Sequence, residues 1–112
     1  MSTRGMVLGK FMPPHAGHCL LVDFARSWVD ELDVLLFGTG DDEIPADARV
    51  AWARELFAGA NVQHFNQLLP DFEDAPEAFV NIVAEVVNTT FPDGLEYVFG
   101  SAAYGEQLAE LA

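Results

Sequence analysis

The side chains best suited to chemistry are concentrated in one segment, residues 9 to 18. This segment reads Gly-Lys-Phe-Met-Pro-Pro-His-Ala-Gly-His and contains the only lysine of the 112-residue chain and two of its 3 histidines. His15 and His18 are three residues apart, and at the start of a helix this spacing directs both rings toward one region. Imidazole and ammonium groups donate hydrogen bonds to phosphate oxygens. We therefore predict a site for an anionic ligand in this segment.

The backbone of the same segment also suits an anion. Pro13 and Pro14 favour an extended path before the helix begins. Gly17 has no side chain, so a phosphate can approach the free N–H groups and the positive end of the helix dipole. The segment matches neither the G-x-G-x-x-G nor the G-x-x-x-x-G-K-[ST] pattern, which argues against a dinucleotide dehydrogenase and a P-loop protein.

A zinc site and a purely structural role are the alternatives for the two histidines. A zinc site lacks a convincing third ligand. Cys19 is the neighbour of His18 in the sequence and faces a different direction on the predicted helix, and His64 belongs to a distant predicted strand. Cys19 itself falls on an apolar helix face and is interpreted as a small buried side chain. Metal ligation is therefore the weaker interpretation, and no metal ligand is predicted.

The composition limits the class of protein. Hydrophobic residues make up 51% of the chain, which predicts one globular domain over residues 1 to 112. The formal net charge is −13, without a cluster of basic residues, so we expect neither nucleic acid nor a membrane surface as a partner. The single cysteine suits a reducing compartment, and no signal segment or long apolar run is visible. We expect a cytoplasmic protein.

The hydrophobic pattern predicts alternating strands and helices. Continuous apolar runs between turn residues predict strands, and apolar residues at helical spacing predict the helices between them. The predicted strands cover residues 6–8, 34–37, 62–65 and 95–99, and the predicted helices cover 17–29, 46–58, 76–90 and a segment from 102. Short connections between such elements predict an α/β fold, a Rossmann-like doubly wound parallel sheet with strand order 3-2-1-4.

Ligands of such a sheet bind above the carboxyl ends of the strands. The loops at that edge cover residues 9–16, 38–45, 65–75 and 100–103. Phe72 lies in the third of these loops and could pack on a substrate ring. Trp28 and Trp52 lie on apolar helix stripes, and core packing is favoured for both over stacking on a base.

Two cations are candidates for phosphate contact. Lys10 lies at the end of the first strand, where it either contacts a phosphate or is a solvated surface residue. Arg49 lies near the N-terminus of the second predicted helix, where a cation opposes the helix dipole and needs a compensating anion. That anion is a substrate phosphate or one of the nearby Asp41, Asp42 and Asp47.

Residues 9 to 18 resemble a known signature. They read as G-x-F-x-P-x-H-x-G-H, the motif of the H-x-G-H nucleotidyltransferase superfamily. The form of the motif found here is most similar to that of bacterial nicotinamide-nucleotide adenylyltransferases in multifunctional NAD-biosynthesis regulators. Residues 101 to 105, Ser-Ala-Ala-Tyr-Gly, are similar to the Ser-x-x-Tyr-Gly stretch of the same proteins.

The resemblance implies an activity and a set of site residues. The reaction would be transfer of AMP from ATP to a mononucleotide phosphate, with nicotinamide mononucleotide as the expected acceptor, Mg²⁺ accompanying ATP and pyrophosphate released. His15 and His18 would be the catalytic pair that contacts the ATP phosphates. The implied nucleotide-binding residues are Gly9, Lys10, Phe11, Met12, Gly17, Ser101 and Tyr104.

The chain also departs from this family. Nothing in it matches the Ile-Ser-x-Thr-x-x-Arg motif or the fifth strand that precedes that motif, and no tryptophan follows Trp52. We therefore expect a domain without its C-terminal part, whose fourth strand is covered either by the missing segment or by another chain in a homo-oligomer. The alternative function is a noncatalytic nucleotide-binding or regulatory module, or an inactive fragment.

Overall fold

The strands within the described residues are parallel and lie in the order β3, β2, β1, β4. The computed structural model describes residues 3–11, 14–70 and 73–99. Strands and helices alternate along these ranges as β1 (Arg4–Gly9), α1 (Ala16–Trp28), β2 (Glu31–Phe37), α2 (Ala46–Leu56), β3 (Asn61–Phe65), α3 (Pro76–Thr90) and β4 (Tyr97–Phe99). The predicted α/β fold and its strand order are confirmed.

The helices cover both faces of the sheet because alternate residues of a strand point to opposite sides. In β1, Met6 packs in the cluster that contains Phe79 and Val83 of α3. Its neighbour Val7 packs in the other cluster, with Val22 and Ala25 of α1. The central strands are therefore buried on both faces, which explains their continuous apolar sequences.

The buried faces of α1 and α2 differ from the prediction. Trp28 is 58% exposed and Trp52 is 44% exposed, so the expectation that both pack in the core is wrong. The buried residues of α1 are Val22 and Ala25, and Ala53 is buried in α2. Small side chains let the helices approach the sheet closely. The helix faces that carry them therefore turn toward the sheet, and both tryptophans lie on the outward side.

Strand β4 lies at the edge of the described sheet. It is shorter than predicted, and its first residue, Tyr97, is 42% exposed. The exposed side chains of Phe24 and Trp28 lie on the nearby helix α1, where Phe24 contacts Phe99 edge to face. A homo-oligomer that covers this edge stays a prediction. No helix in the described ranges is long and apolar enough to cross a membrane.

Candidate functional site

The candidate site lies at the carboxyl end of β1, where the strand order reverses. The chain leaves β1 through α1 to reach β2 on one side, and α3 later returns it to β4 on the other side. Open parallel sheets bind ligands at such a reversal. Gly9 ends β1 opposite Leu36 of β2, and His15 precedes the first turn of α1.

His15 and His18 form a reciprocal cap at the start of α1. The Gly17 N–H donates to Nδ1 of His15, with 3.1 Å between the nitrogens. The His15 N–H donates to Nδ1 of His18, also at 3.1 Å. This is the arrangement of a capping box, with imidazoles in the positions that Ser or Thr and Glu usually occupy. The two histidines thus satisfy backbone donors that the helix start would otherwise leave unpaired.

The cap determines which ring nitrogen carries the proton. A ring nitrogen that accepts a backbone N–H holds a lone pair, so in each neutral imidazole the hydrogen is on Nε2. The rings of His15 and His18 are stacked, with centroids 3.8 Å apart. Two Nε2–H donors are therefore presented side by side at the N-terminus of α1, where the helix dipole favours an anion.

The environment of His18 favours its neutral form. Partial burial lowers the pKa of His18 below 6.5, and the neighbouring His15 lowers the pKa further. A protonated His18 would also lose the lone pair that accepts the His15 N–H. Gly17 leaves the space that the pair needs, because a Cβ at this position would lie 2.9 Å from Cε1 of His15.

Phe11 packs its ring against His18 and has an unusual backbone conformation. Its ring is 4% exposed and contacts the rings of His18 and Phe57 edge to face, with centroid distances of 4.7 and 5.6 Å. Its φ is 50°, in the left-handed region that costs a residue with a side chain about 1 to 2 kcal/mol. A nucleotide contact from Phe11 would therefore come from its backbone, since the ring is already packed.

Arg49 joins the first loop to the second from a fully buried position. Its Nη1 donates to the carbonyl oxygens of Lys10 and Phe37 at 2.6 and 3.2 Å, and its Nε donates to that of Ile44 at 2.9 Å. Its Nη2 forms an ion pair with Asp42. Among the anions expected near Arg49, the structure favours Asp42, while contact with a substrate phosphate stays a prediction.

Asp42 is held in its charged form. The Thr39 N–H donates to its carboxylate at 2.9 Å, and this bond contributes most to lowering the pKa of Asp42. Arg49 lowers the pKa further by its hydrogen bond and charge, and Lys10 contributes by its charge alone. The charge of Lys10, which lies in the first loop, therefore acts on a residue of the second loop.

Several predicted site residues lie outside the described ranges, namely Met12, Phe72, Ser101 and Tyr104. Within those ranges, no group of three or more His, Cys, Asp or Glu side chains could hold a metal ion. The roles of the site residues that the ranges include, Gly9, Lys10, Phe11, His15, Gly17, His18 and Arg49, stay predictions.

Two features of the site were missed by the sequence analysis. The left-handed backbone of Phe11 has no sequence signal, because this conformation is typical of glycine rather than phenylalanine. The second feature, the close approach of Arg49 to Gly38, did have a sequence signal. A Cβ at Gly38 would overlap the guanidinium of Arg49, and a glycine directly after a buried strand often marks such a close approach.

Three solved structures share the fold of the chain. They are a NadR protein in complex with NR (TM-score 0.67, 22% identity), a NadR protein in complex with NAD and AMP-PNP (0.62, 20%), and a bifunctional NMN adenylyltransferase/ADP ribose pyrophosphatase from Francisella tularensis complexed with AMP and a Mn ion (0.70, 15%). Neither a protein-family model nor a curated protein matches the chain. The likeness shows the fold.

The matches cover nearly all of this chain but only part of each neighbour. They cover 96%, 98% and 98% of this chain and 33%, 34% and 35% of the respective neighbours. The chain thus spans about a third of the length of these structures.

Proposed function

We propose that this domain is a nucleotidyltransferase that transfers AMP from ATP to the phosphate of a mononucleotide, with nicotinamide mononucleotide as acceptor. The observation that carries the proposal is the histidine pair at the N-terminus of α1, where both rings accept a backbone N–H at Nδ1 and so carry their hydrogen on Nε2. Two of the structural neighbours support the substrate class, since one was solved with NAD and AMP-PNP and another is an NMN adenylyltransferase solved with AMP.

The geometry suits adenylyl transfer because this reaction needs charge stabilisation more than covalent help from the protein. An oxygen of the acceptor phosphate attacks the α-phosphorus of ATP. The bond between that phosphorus and the oxygen that bridges it to the β-phosphorus breaks, and pyrophosphate leaves with the bridging oxygen. Negative charge grows on the α-phosphoryl oxygens during this step. The Nε2–H groups of His15 and His18 would donate to those oxygens, and a fixed donor of this kind is worth about 3 kcal/mol of barrier.

ATP would bring its own divalent cation as part of the substrate. Magnesium usually binds substrate phosphates with few protein ligands, and one neighbour was solved with a Mn ion. When bound, the cation neutralises phosphate charge that this acidic chain cannot neutralise by itself. The chain contributes the neutral donors of the histidine pair, the dipole of α1 and the ammonium of Lys10.

The test is to incubate the protein with ATP, Mg²⁺ and nicotinamide mononucleotide and to measure pyrophosphate and the dinucleotide product. We expect His18→Gln to lower kcat about a hundredfold. Glutamine at this position is the usual second partner of a capping box, so the helix start is kept while the imidazole is lost. Unchanged turnover in His18→Gln would contradict the proposed role of the ring.

A second candidate is a nucleotide-binding module without turnover. The observation that favours it is the engagement of Arg49, whose guanidinium is committed to Asp42 and to backbone carbonyls. Outgoing pyrophosphate needs strong positive charge, and Lys10 is the other cation near the described part of the site. ATP binding measured by calorimetry, without release of pyrophosphate, would favour this second function.

A further inference from the structure

The left-handed backbone conformation of Phe11 needs stabilising contacts from the rest of the structure. Phe11 has a φ of 50° and no glycine-like freedom, so an isolated chain would leave this conformation. Rotation about φ moves the peptide that joins Lys10 to Phe11. The group that fixes this peptide therefore also fixes the direction in which the Phe11 ring leaves the backbone.

Arg49 is bonded to that peptide. Its Nη1 donates to the Lys10 carbonyl oxygen at 2.6 Å, across 39 residues of sequence. The guanidinium is buried and is anchored on the other side by Asp42 and the Ile44 carbonyl. A planar, fully charged fork held at several points is a rigid support for a neighbouring carbonyl.

The Phe11 ring connects the Lys10–Phe11 peptide to the histidine pair. It lies edge to face against His18, with 4.7 Å between the ring centroids, and is backed by Phe57. His18 in turn stacks on His15. A continuous series of contacts therefore runs from the buried guanidinium to the two Nε2–H donors.

We propose that Arg49 is a positioning residue that holds the Lys10–Phe11 peptide in its strained conformation and thereby sets the place of His18. This inference rests on the proposed function in one respect, that His18 contacts the phosphates of the nucleotide. It differs from the expectation that Arg49 itself binds a substrate phosphate, because here Arg49 acts through Phe11 and touches no ligand.

The decisive variant is Arg49→Lys, which keeps a positive charge beside Asp42 but cannot donate to several acceptors in a plane. The matched control is Arg4→Lys. Arg4 pairs with the buried Asp33, its Nε lying 3.1 Å from the carboxylate, at the opposite end of the sheet. Each variant weakens an ion pair that has one buried partner, and only Arg49→Lys lies beside the histidine site.

The first measurement follows the ring signals of His18 by NMR as a function of pH, without nucleotide. In Arg49→Lys we expect the pKa of His18 to rise toward 6.5, because its ring is less buried once Phe11 is released. In Arg4→Lys the titration stays that of the wild type. A folded Arg49→Lys with an unchanged His18 titration would overturn the proposal.

The second measurement tests whether Arg49 acts through Phe11. Phe11→Leu removes the ring and retains a side chain at the strained position. If the proposal holds, Phe11→Leu and Arg49→Lys shift the His18 titration by less together than the sum of their separate shifts. Additive shifts would overturn it. If Arg49→Lys fails to fold, Asp42→Asn replaces it in the test. This variant leaves every donor of Arg49 in place, and we expect it to shift the pKa of His18 in the same direction by a smaller amount.

The third measurement separates this inference from the proposed function. We expect Arg49→Lys to weaken ATP binding about tenfold, as a small misplacement of a contacting group does, and Arg4→Lys to leave it unchanged. A higher KM for the mononucleotide alone, with ATP binding intact, would overturn the positioning role in favour of a phosphate contact. If the wild type binds no ATP, the proposed function fails, and the His18 titrations still decide the inference.

Discussion

His15 and His18 each accept a backbone N–H through Nδ1, at 3.1 Å in both cases, while their rings stack 3.8 Å apart. One side of the pair therefore caps helix α1 through Nδ1, and the cap does not use Nε2 of either ring. The helix cap and the proposed ligand contact use different atoms of the same rings. Substitutions can for this reason separate the two roles.

We expect His15→Asn and His15→Ala to differ in stability but not in function. Asparagine is a favoured N-cap residue and keeps an acceptor for the Gly17 N–H, whereas alanine loses the cap at a cost of about 1 kcal/mol. Both variants lose the Nε2–H donor, so both should bind ATP more weakly than the wild type. Urea denaturation and calorimetry check the two effects. Equal stability of both variants would contradict the cap assignment.

We expect the free energy of unfolding to decrease as the pH falls below 6.5, in part because of His18. Its pKa is lowered in the folded state, so the unfolded chain binds the proton first as the pH falls. The loss begins near 6.5 and is complete once the pH has passed the lowered pKa. Denaturation curves of wild type and His18→Gln between pH 8 and 5 check this difference. A His18→Gln variant with the same pH dependence would contradict it.

We expect Gly17→Ala to impair nucleotide binding with little change in stability. The added Cβ would lie 2.9 Å from Cε1 of His15 and displace the ring. Loss of the cap costs about 1 kcal/mol, and alanine recovers about as much through its helix propensity. Thermal unfolding and ATP calorimetry on the same sample test both halves of this prediction. ATP binding equal to that of the wild type would show that the His15 ring has no role.

The second loop provides a matched pair of glycines. A Cβ at Gly38 would overlap the guanidinium of Arg49, whereas a Cβ at Gly40 meets nothing within 4 Å. We expect Gly38→Ala to destabilise the fold by about 1 to 3 kcal/mol, as overpacking does, and to raise the pKa of His18. Gly40→Ala should leave both unchanged. Chemical denaturation and NMR titration are the measurements, and equal behaviour of the two variants would contradict the packing described here.

The β4 edge of the described sheet leads to a prediction about self-association. Phe24 and Trp28 are 56% and 58% exposed beside β4, which has no second neighbouring strand in the described ranges of residues 3–99, and a sheet edge with apolar neighbours favours pairing with another chain. We expect the double variant Phe24→Ser, Trp28→Ser to shift any oligomer toward monomer without unfolding the domain. Sedimentation velocity checks the shift. A monomeric wild type would contradict the expected homo-oligomer.

The order of the elements could be predicted because it depends on local patterns. Apolar residues at helical spacing predicted a helix over residues 76 to 90, and the structure has α3 at Pro76–Thr90. The faces of α1 and α2 were predicted less well, since an apolar stripe of Leu, Phe and Trp does not reveal which side meets the sheet. The structure buries Ala25 of the predicted stripe together with Val22 and leaves Phe24 and Trp28 exposed, because small side chains allow the closest approach to the sheet.

Hydrophobic pattern alone was enough to predict the parallel α/β sheet and the place of Gly9 and His15 at the carboxyl edge of its strands. Both follow from hydrophobic periodicity and from short connections, which operate over a few residues. The partners of Arg49 and the left-handed conformation of Phe11 depend on contacts between distant segments and could not be predicted. The bond from Arg49 to the Lys10 carbonyl spans 39 residues, and a contact of that range exists only after the sheet has brought both loops together.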